Sequence, residues 1–260
     1  MDQPRPDKTT ASLFDRLEWR DDRVLIDDLV FRLELSMEPD CPDWSDGRFF
    51  KLFKPRELVE QYRQLFPDPG QLAGSNILEV GMYDGGSLVL LNELFEPAKL
   101  VGIDIQDRSD SEYFQGYIAA AGRKSRIRTF WKTSQTDFDR LEKIIASEFS
   151  GPLDLVIDDA SHYYEETRAT FEFLYPRLKP GGIYVIEDWQ WSHWPEFQTH
   201  SYFDGKLPLT KLIVQLIEFT GSAHVHSPAR VEVRSRMALI IKGTDQGPAK
   251  LNLAEQIIRR

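Results

Sequence analysis

The chain has 260 residues, 41% hydrophobic and 28% charged, which suits one large α/β domain carrying an appendage and supplies ample material for a core. Its formal net charge of −10 argues against a nucleic-acid backbone as partner. The single cysteine, Cys41, excludes an internal disulfide and fits a reducing compartment; the first residues lack the apolar core of a signal peptide and no run reaches transmembrane length, so the expected location is cytoplasmic.

Residues 1–12 are polar and contain proline, as a tail would. Over residues 13–35, Leu25, Ile26, Leu29, Val30 and Leu33 recur at helical spacing. A break follows at 39–47, PDCPDWSDG. Lys54-Pro55 then opens a helix whose apolar positions are Leu58, Val59, Tyr62, Leu65 and Phe66, and PDPG at 67–70 ends it. Residues 1–70 are therefore expected to form an N-terminal helical appendage, serving as a lid or an oligomer contact. Residues 71–260 form the remaining domain.

That domain opens with NILEVGMYDGGS at 76–87, a strand running into a glycine turn at Gly81, Gly85 and Gly86, with a helix over 87–95. LVGIDIQ at 100–106 is a second strand ending in Asp104. A third begins at Ile127 and passes into a polar loop. Two further strands, within 153–164 (LDLVIDDASHYY) and 181–194 (GGIYVIEDWQWSHW), end abruptly in paired acids, Asp158-Asp159 and Glu187-Asp188. Between them, Phe171, Leu174, Tyr175 and Leu178 mark one face of a helix. A strand, helix and strand in succession form a right-handed crossover, which brings both acidic ends to one edge of a parallel sheet, where open α/β sheets bind ligands. Carboxylates gathered there repel one another without a cation, and oxygen ligands favour a hard ion such as Mg²⁺ or Mn²⁺. A helix at 207–221 and a strand pair at 231–233 and 237–241 complete the chain. The alternation specifies an α/β fold, a Rossmann-like, doubly wound, mostly parallel sheet of seven strands.

The glycine turn is not the dinucleotide pattern, because Tyr83 stands where that pattern needs glycine and Glu79 would repel a phosphate. This disfavours a nicotinamide-dependent oxidoreductase. E-x-G-x-x-x-G-G-S, Glu79 to Ser87, instead resembles the first motif of class I S-adenosylmethionine-dependent methyltransferases, especially metal-dependent O-methyltransferases. The resemblance implies a cofactor site formed by Glu79, Gly81, Tyr83 (with Met82), Ser87, Asp104, Thr133, Ser134 and Asp158, with Asp137 nearby. Ser87 would meet the cofactor's carboxylate, Asp104 its ribose, and Thr133 and Ser134 its adenine. Strand alternation places Asp158 and Asp159 on different faces, so Asp158 is left between a cofactor contact, an outer-sphere role and the opposite face.

The strand ends I-D-D-x-S-H and E-D resemble those of macrolide sugar O-methyltransferases and the related cephalosporin-biosynthesis group, over about residues 76–190. Catechol-type relatives carry Asp-Asn at the last pair and lysine where His162 stands. The resemblance implies Asp159, Glu187 and Asp188 as ligands of Mg²⁺ or Mn²⁺, and His162 as the base that deprotonates a hydroxyl, with His193 as its rival. Trp189, Trp191 and Trp194 are expected either to line an acceptor pocket or to pack their loop against the N-terminal appendage. The implied activity is methylation of a hydroxyl on a sugar or glycosylated small molecule, in a homo-oligomer. The alternative is a non-catalytic relative that binds the cofactor as a scaffold or regulatory subunit.

Overall fold

The computed structural model describes residues 13–33, 48–109, 111–120, 122–222, 224–245 and 250–257. The tail at 1–12, the break at 39–47 and Cys41 lie outside them. The chain begins with three short strands, β1 (Leu17–Arg20), β2 (Arg23–Ile26) and β3 (Leu29–Leu33), then β4 (Phe50–Leu52) and helix α1 (Arg56–Leu65). β1, β2 and β3 form an antiparallel meander, and β4 joins β3 in parallel.

The appendage is therefore mostly a sheet, which corrects the helical expectation for 13–35. Asp21-Asp22 and Asp27-Asp28 are two-residue turns, with Arg20 opposite Arg23 and Ile26 opposite Leu29. Asp27 takes φ 51°, the left-handed region where aspartate is among the better-tolerated residues. Val24, Ile26 and Phe31 are fully buried, the alternation of strands folded on one another. Two period-two stretches joined across an acidic turn imitate three-four spacing. α1 follows the expected pattern, burying Leu58, Val59 and Tyr62 behind Pro55.

The rest is a doubly wound unit: β5 (Asn76–Val80), α2 (Gly86–Phe95), β6 (Lys99–Ile103), α3 (Glu112–Ala119), α4 (Arg123–Arg126), β7 (Ile127–Phe130), α5 (Phe138–Glu148), β8 (Leu153–Asp158), α6 (Tyr164–Leu174), β9 (Leu178–Glu187), α7 (Thr210–Gly221), β10 (Arg230–Val233), β11 (Met237–Ile241) and α8 (Leu253–Gln256). Its seven strands run in the order β10-β11-β9-β8-β5-β6-β7. β9, β8, β5, β6 and β7 are mutually parallel, and β10 and β11 are antiparallel additions at one end. The mostly parallel Rossmann-like sheet is thus present as expected.

Each face of that sheet has its own core. On one, Ile77, Leu155, Ile157, Val185 and Leu239 pack with α2, α3, α1 and the N-terminal sheet. On the other, Leu78, Val101, Val156, Ile186 and Ile240 pack with Phe171, Leu212, Leu216 and Phe219 of α6 and α7. Residues on both sides of position 70 share the first core: Phe95 meets Phe14 and Phe66 edge to face. Among the described residues no helix is long and apolar enough to cross a membrane.

Candidate active site

β5 and β8 are neighbours at the point where the winding reverses, so a crevice opens beyond their C-terminal ends. Gly81 leaves β5 at φ +87°, and a Cβ there would lie 2.1 Å from the carbonyl oxygen of Asp159. Glycine is required at this point because the turn passes directly against the tip of β8. Asp159 closes the junction by donating its N–H to the carbonyl of Val80 at 2.8 Å. The other two glycines serve packing, since a Cβ at Gly85 would strike the Phe114 ring and one at Gly86 the Lys51 carbonyl.

The residues expected around a cofactor have defined partners in the chain. Asp104 accepts the N–H groups of Tyr83 and Gln106, each at 2.8 Å, and so fixes the turn against β6. Tyr83 holds φ 53° and lies beneath Arg108 and edge-on to Phe53. Met82 is buried. Thr133 and Ser134 follow β7, the first buried and donating to the carbonyl of Trp131, the second paired with Thr136. Asp137 caps α5 by accepting the N–H of Arg140. Ser87 instead donates to the fully buried Glu79 at 2.8 Å. Asp158 faces away from Asp159, accepting the hydroxyl of the buried Tyr184 at 2.8 Å, which selects the opposite face among its three open roles.

Asp159, His162 and Asp188 each present a potential ligand atom within 4.8 Å of the others. Nε2 of His162 lies 4.0 Å from Oδ1 of Asp159. Both His162 (φ 55°) and Asp188 (φ 51°) hold left-handed backbone, the latter donating its N–H to the carbonyl of Arg236. Glu187, the third expected ligand, lies beside this group with hydrogen-bond partners of its own. Its Oε2 accepts from Lys54 Nζ at 2.7 Å and its Oε1 from the Tyr62 hydroxyl at 2.5 Å, so both oxygens are engaged deep in the interior. Lys54 also donates to Oδ2 of Asp159 at 2.8 Å. Sequence reading took Lys54-Pro55 as a helix start and Tyr62 as core. Nothing local signals that these residues reach strand tips more than 100 positions away.

The electrostatics follow from burial. Desolvation lifts Glu79 and Asp188 to about 8 and Asp158 and Glu187 to about 7, with neighbouring carboxylates adding to the rise and Lys54 opposing it at Glu79, Asp188 and Glu187. Burial also works against a charged Lys54, yet Asp159, Glu187 and Glu79 outweigh it and hold the ammonium well above its ordinary range. His162 is lowered to about 4, chiefly by burial, so at neutral pH its ring is uncharged. Two acids at such range fit a divalent cation better than they tolerate mutual repulsion, and the neutral imidazole lies beside them.

The aromatic run divides. Trp191 packs its ring on His162 at 4.4 Å and stacks on Phe197. Trp189 is tied away from the acids, donating to the carbonyl of Arg234 at 2.8 Å. His193 is exposed and bonded to Thr210 at 2.5 Å, which removes it from the acidic group, and Trp194 lies beneath Arg236.

Residues 78–189 match the family of the methyltransferase domain. The matched segment runs from β5 through the acids that end β9, and so takes in the glycine turn, Asp159, His162 and Asp188 but not Lys54 or Tyr62. The chain is 36% identical over 186 residues to demethylmacrocin O-methyltransferase of Streptomyces fradiae, covering 69% of this chain and 41% of that protein. It is 35% identical over 156 residues to 8-demethyl-8-alpha-L-rhamnosyl tetracenomycin-C 2'-O-methyltransferase of Streptomyces olivaceus, covering 58% of this chain and 37% of that one. The chain thus matches about two fifths of the length of these curated relatives. Among solved structures, the MycE methyltransferase from the mycinamycin biosynthetic pathway, in complex with Mg, SAH and mycinamycin VI, superimposes with a TM-score of 0.54 at 29% identity, over 73% of this chain and 50% of that one. The segment that resembles a methyltransferase domain thus carries the glycine turn and the acidic strand ends that meet at one crevice.

Proposed function

We propose that this chain is an S-adenosylmethionine- and Mg²⁺-dependent O-methyltransferase that methylates a hydroxyl of a sugar carried by a small-molecule natural product. The observation that carries this reading is the Asp159–His162–Asp188 group lying against the Gly81 turn of a methyltransferase domain. The relatives' names support the acceptor class, and the Mg and SAH held by the MycE structure support the cofactors.

S-adenosylmethionine would supply the methyl group on a sulfonium, in reach of an attacking oxygen. The Gly81 turn would admit it, Asp104 would accept from its ribose, and Thr133 and Ser134 would flank its base. Asp159 and Asp188 would hold the divalent ion, which when bound acidifies and orients a neighbouring hydroxyl. Nε2 of the uncharged His162 would accept the hydroxyl proton, with Trp191 packed on the ring to fix its direction. The N-terminal sheet and α1 cover the crevice through Lys54 and Tyr62. A cytoplasmic homo-oligomer fits this reading.

The test is release of S-adenosylhomocysteine on a panel of rhamnosylated and deoxysugar-bearing natural products. Asp188→Asn is expected to lower turnover at least ~100-fold while S-adenosylmethionine binding, measured by calorimetry, stays within severalfold of wild type. Cofactor binding with no turnover on any glycoside would favour the scaffold alternative. Wild-type turnover in Asp188→Asn would remove the acids from the chemistry.

A further inference from the structure

Between β9 and α7 the chain makes three single-turn helices, Trp191–His193, Pro195–Gln198 and Ser201–Phe203. This insert is pinned at both ends to the loop that carries His162. The Trp191 ring lies 4.4 Å from the His162 ring. Farther along, the Tyr202 hydroxyl donates to the carbonyl of Ser161 at 3.0 Å, and its ring is 5.0 Å from that of Tyr163. Between the pins Trp191 stacks on Phe197, with ring centres 5.4 Å apart and planes 9° from parallel. Aromatic packing of this kind holds the insert together without buried polar groups.

Yet three consecutive residues bury a polar atom that has no hydrogen-bond partner among the described residues: Oε1 of Gln190, Nε1 of Trp191 and Oγ of Ser192. The backbone at the same place is satisfied. Trp191 donates its N–H to the carbonyl of Asp188, His193 to that of Gln190 and Trp194 to that of Trp191. An unpaired buried donor or acceptor bears its whole desolvation cost, so folds keep one chiefly where a ligand or water completes it. Gln190 and Trp191 also adjoin the reacting groups. Gln190 donates from Nε2 to Oδ1 of Asp188 at 3.3 Å, which fixes the amide and leaves its oxygen to accept. The indole of Trp191, packed on His162, can only donate. A hydroxyl does both, so a single hydroxyl satisfies the pair.

Resting on the reading of this crevice as a site of hydroxyl methylation, we propose that Gln190 and Trp191 form a specificity subsite for a second hydroxyl of the acceptor sugar, distinct from the one methylated. The indole N–H of Trp191 donates to that hydroxyl, and Oε1 of Gln190 accepts from it. An acceptor lacking the hydroxyl strands both polar atoms in the interior. That penalty, rather than apolar contact with the rings, sorts one sugar from another.

The experiment follows S-adenosylhomocysteine release by the full chain, with S-adenosylmethionine and Mg²⁺, on methyl α-L-rhamnopyranoside and its 2-, 3- and 4-deoxy counterparts. Wild type is compared with Trp191→Phe and Gln190→Met. The counterpart lacking the methylated hydroxyl gives no turnover; of the other two, one is expected to lose at least ~30-fold in kcat/KM in wild type. Trp191→Phe keeps a ring against His162 and Phe197 but removes the N–H, and is expected to shrink that discrimination at least ~5-fold, as is Gln190→Met. A loop with only a structural role would lower every active sugar alike. Discrimination unchanged in both variants would therefore overturn the subsite, as would a wild type that accepts both of those deoxy sugars as well as the parent. Should Trp191→Phe fail to fold, as its circular dichroism would show, Gln190→Met decides. Saturation-transfer NMR of the same sugars on the chain loaded with S-adenosylhomocysteine and Mg²⁺ reads binding apart from chemistry. Discriminating binding without turnover would remove the methylation reading and leave the subsite; no binding of any of the sugars would remove both.

Discussion

At the scale of single residues, the site rests on backbone that most side chains avoid. Tyr83, His162 and Asp188 all hold positive φ, and each stands where a strand end turns toward the crevice. Strain of this kind persists where surrounding structure over-determines it, and it clusters at working sites. Gly81 adds a steric constraint. Gly81→Ala would place a Cβ 2.1 Å from one backbone atom and 2.6 Å from the next, with neither able to rotate away. The expected cost is about 2–4 kcal/mol by chemical denaturation, with loss of S-adenosylmethionine binding. Gly74 shares a positive φ, at +73°, but a Cβ there meets nothing within 4 Å, so Gly74→Ala is expected to cost only about 1 kcal/mol and to leave binding intact. Equal effects of the two substitutions would mean that contact with Asp159 is not what demands glycine at position 81.

At the scale of elements, the parallel strands and their acidic ends were legible because each is continuous in sequence: an apolar run, then acids. Asp159 and Asp188 could be singled out on that basis and joined by the crossover topology, while His162 came from the resemblance of the I-D-D-x-S-H strand end. Glu187 was read as a ligand from the resemblance of the E-D strand end, and its hydrogen-bond partners come from outside that motif. Successive strand residues diverge, and Glu187 turns inward to meet Lys54 and Tyr62 from α1 and the segment before it. Those partners carry no local mark, because their role depends on contacts 125 and 133 residues distant. β1, β2 and β3 were missed for a different reason. Strands of four and five residues with two-residue acidic turns leave too short a pattern to separate period two from period three and a half, and only the burial of Val24, Ile26 and Phe31 resolves it. The helical expectation succeeded at α1, α6 and α7, where each has ten or more residues in which the apolar face repeats, except that α6 ends at Leu174 and Leu178, expected on its face, opens β9.

At the scale of the whole molecule, the crevice concentrates buried acids whose protonated form the fold favours. Glu79, Asp158, Glu187 and Asp188 are raised to about 7 or 8 from ordinary values of 3.8 or 4.5. For such groups the stabilising contribution is complete below the unfolded value and is lost as pH rises through the folded one. His162 acts in the opposite sense over 6.5 to about 4, where protonation favours the unfolded chain, but it is one group against four. In chelator, the melting temperature is therefore expected to fall as pH rises from about 5 to 8, and Mg²⁺ or Mn²⁺ is expected to restore it most at the alkaline end. A melting temperature that climbs steadily over this range in chelator would show that the acids are charged and compensated without a metal. The most direct test of the central claim is methyl transfer by the wild-type chain from S-adenosylmethionine to a glycosylated acceptor, followed as S-adenosylhomocysteine release with EDTA and again after excess Mg²⁺. The account predicts turnover that EDTA abolishes and Mg²⁺ restores; turnover on that acceptor undiminished by EDTA would contradict it.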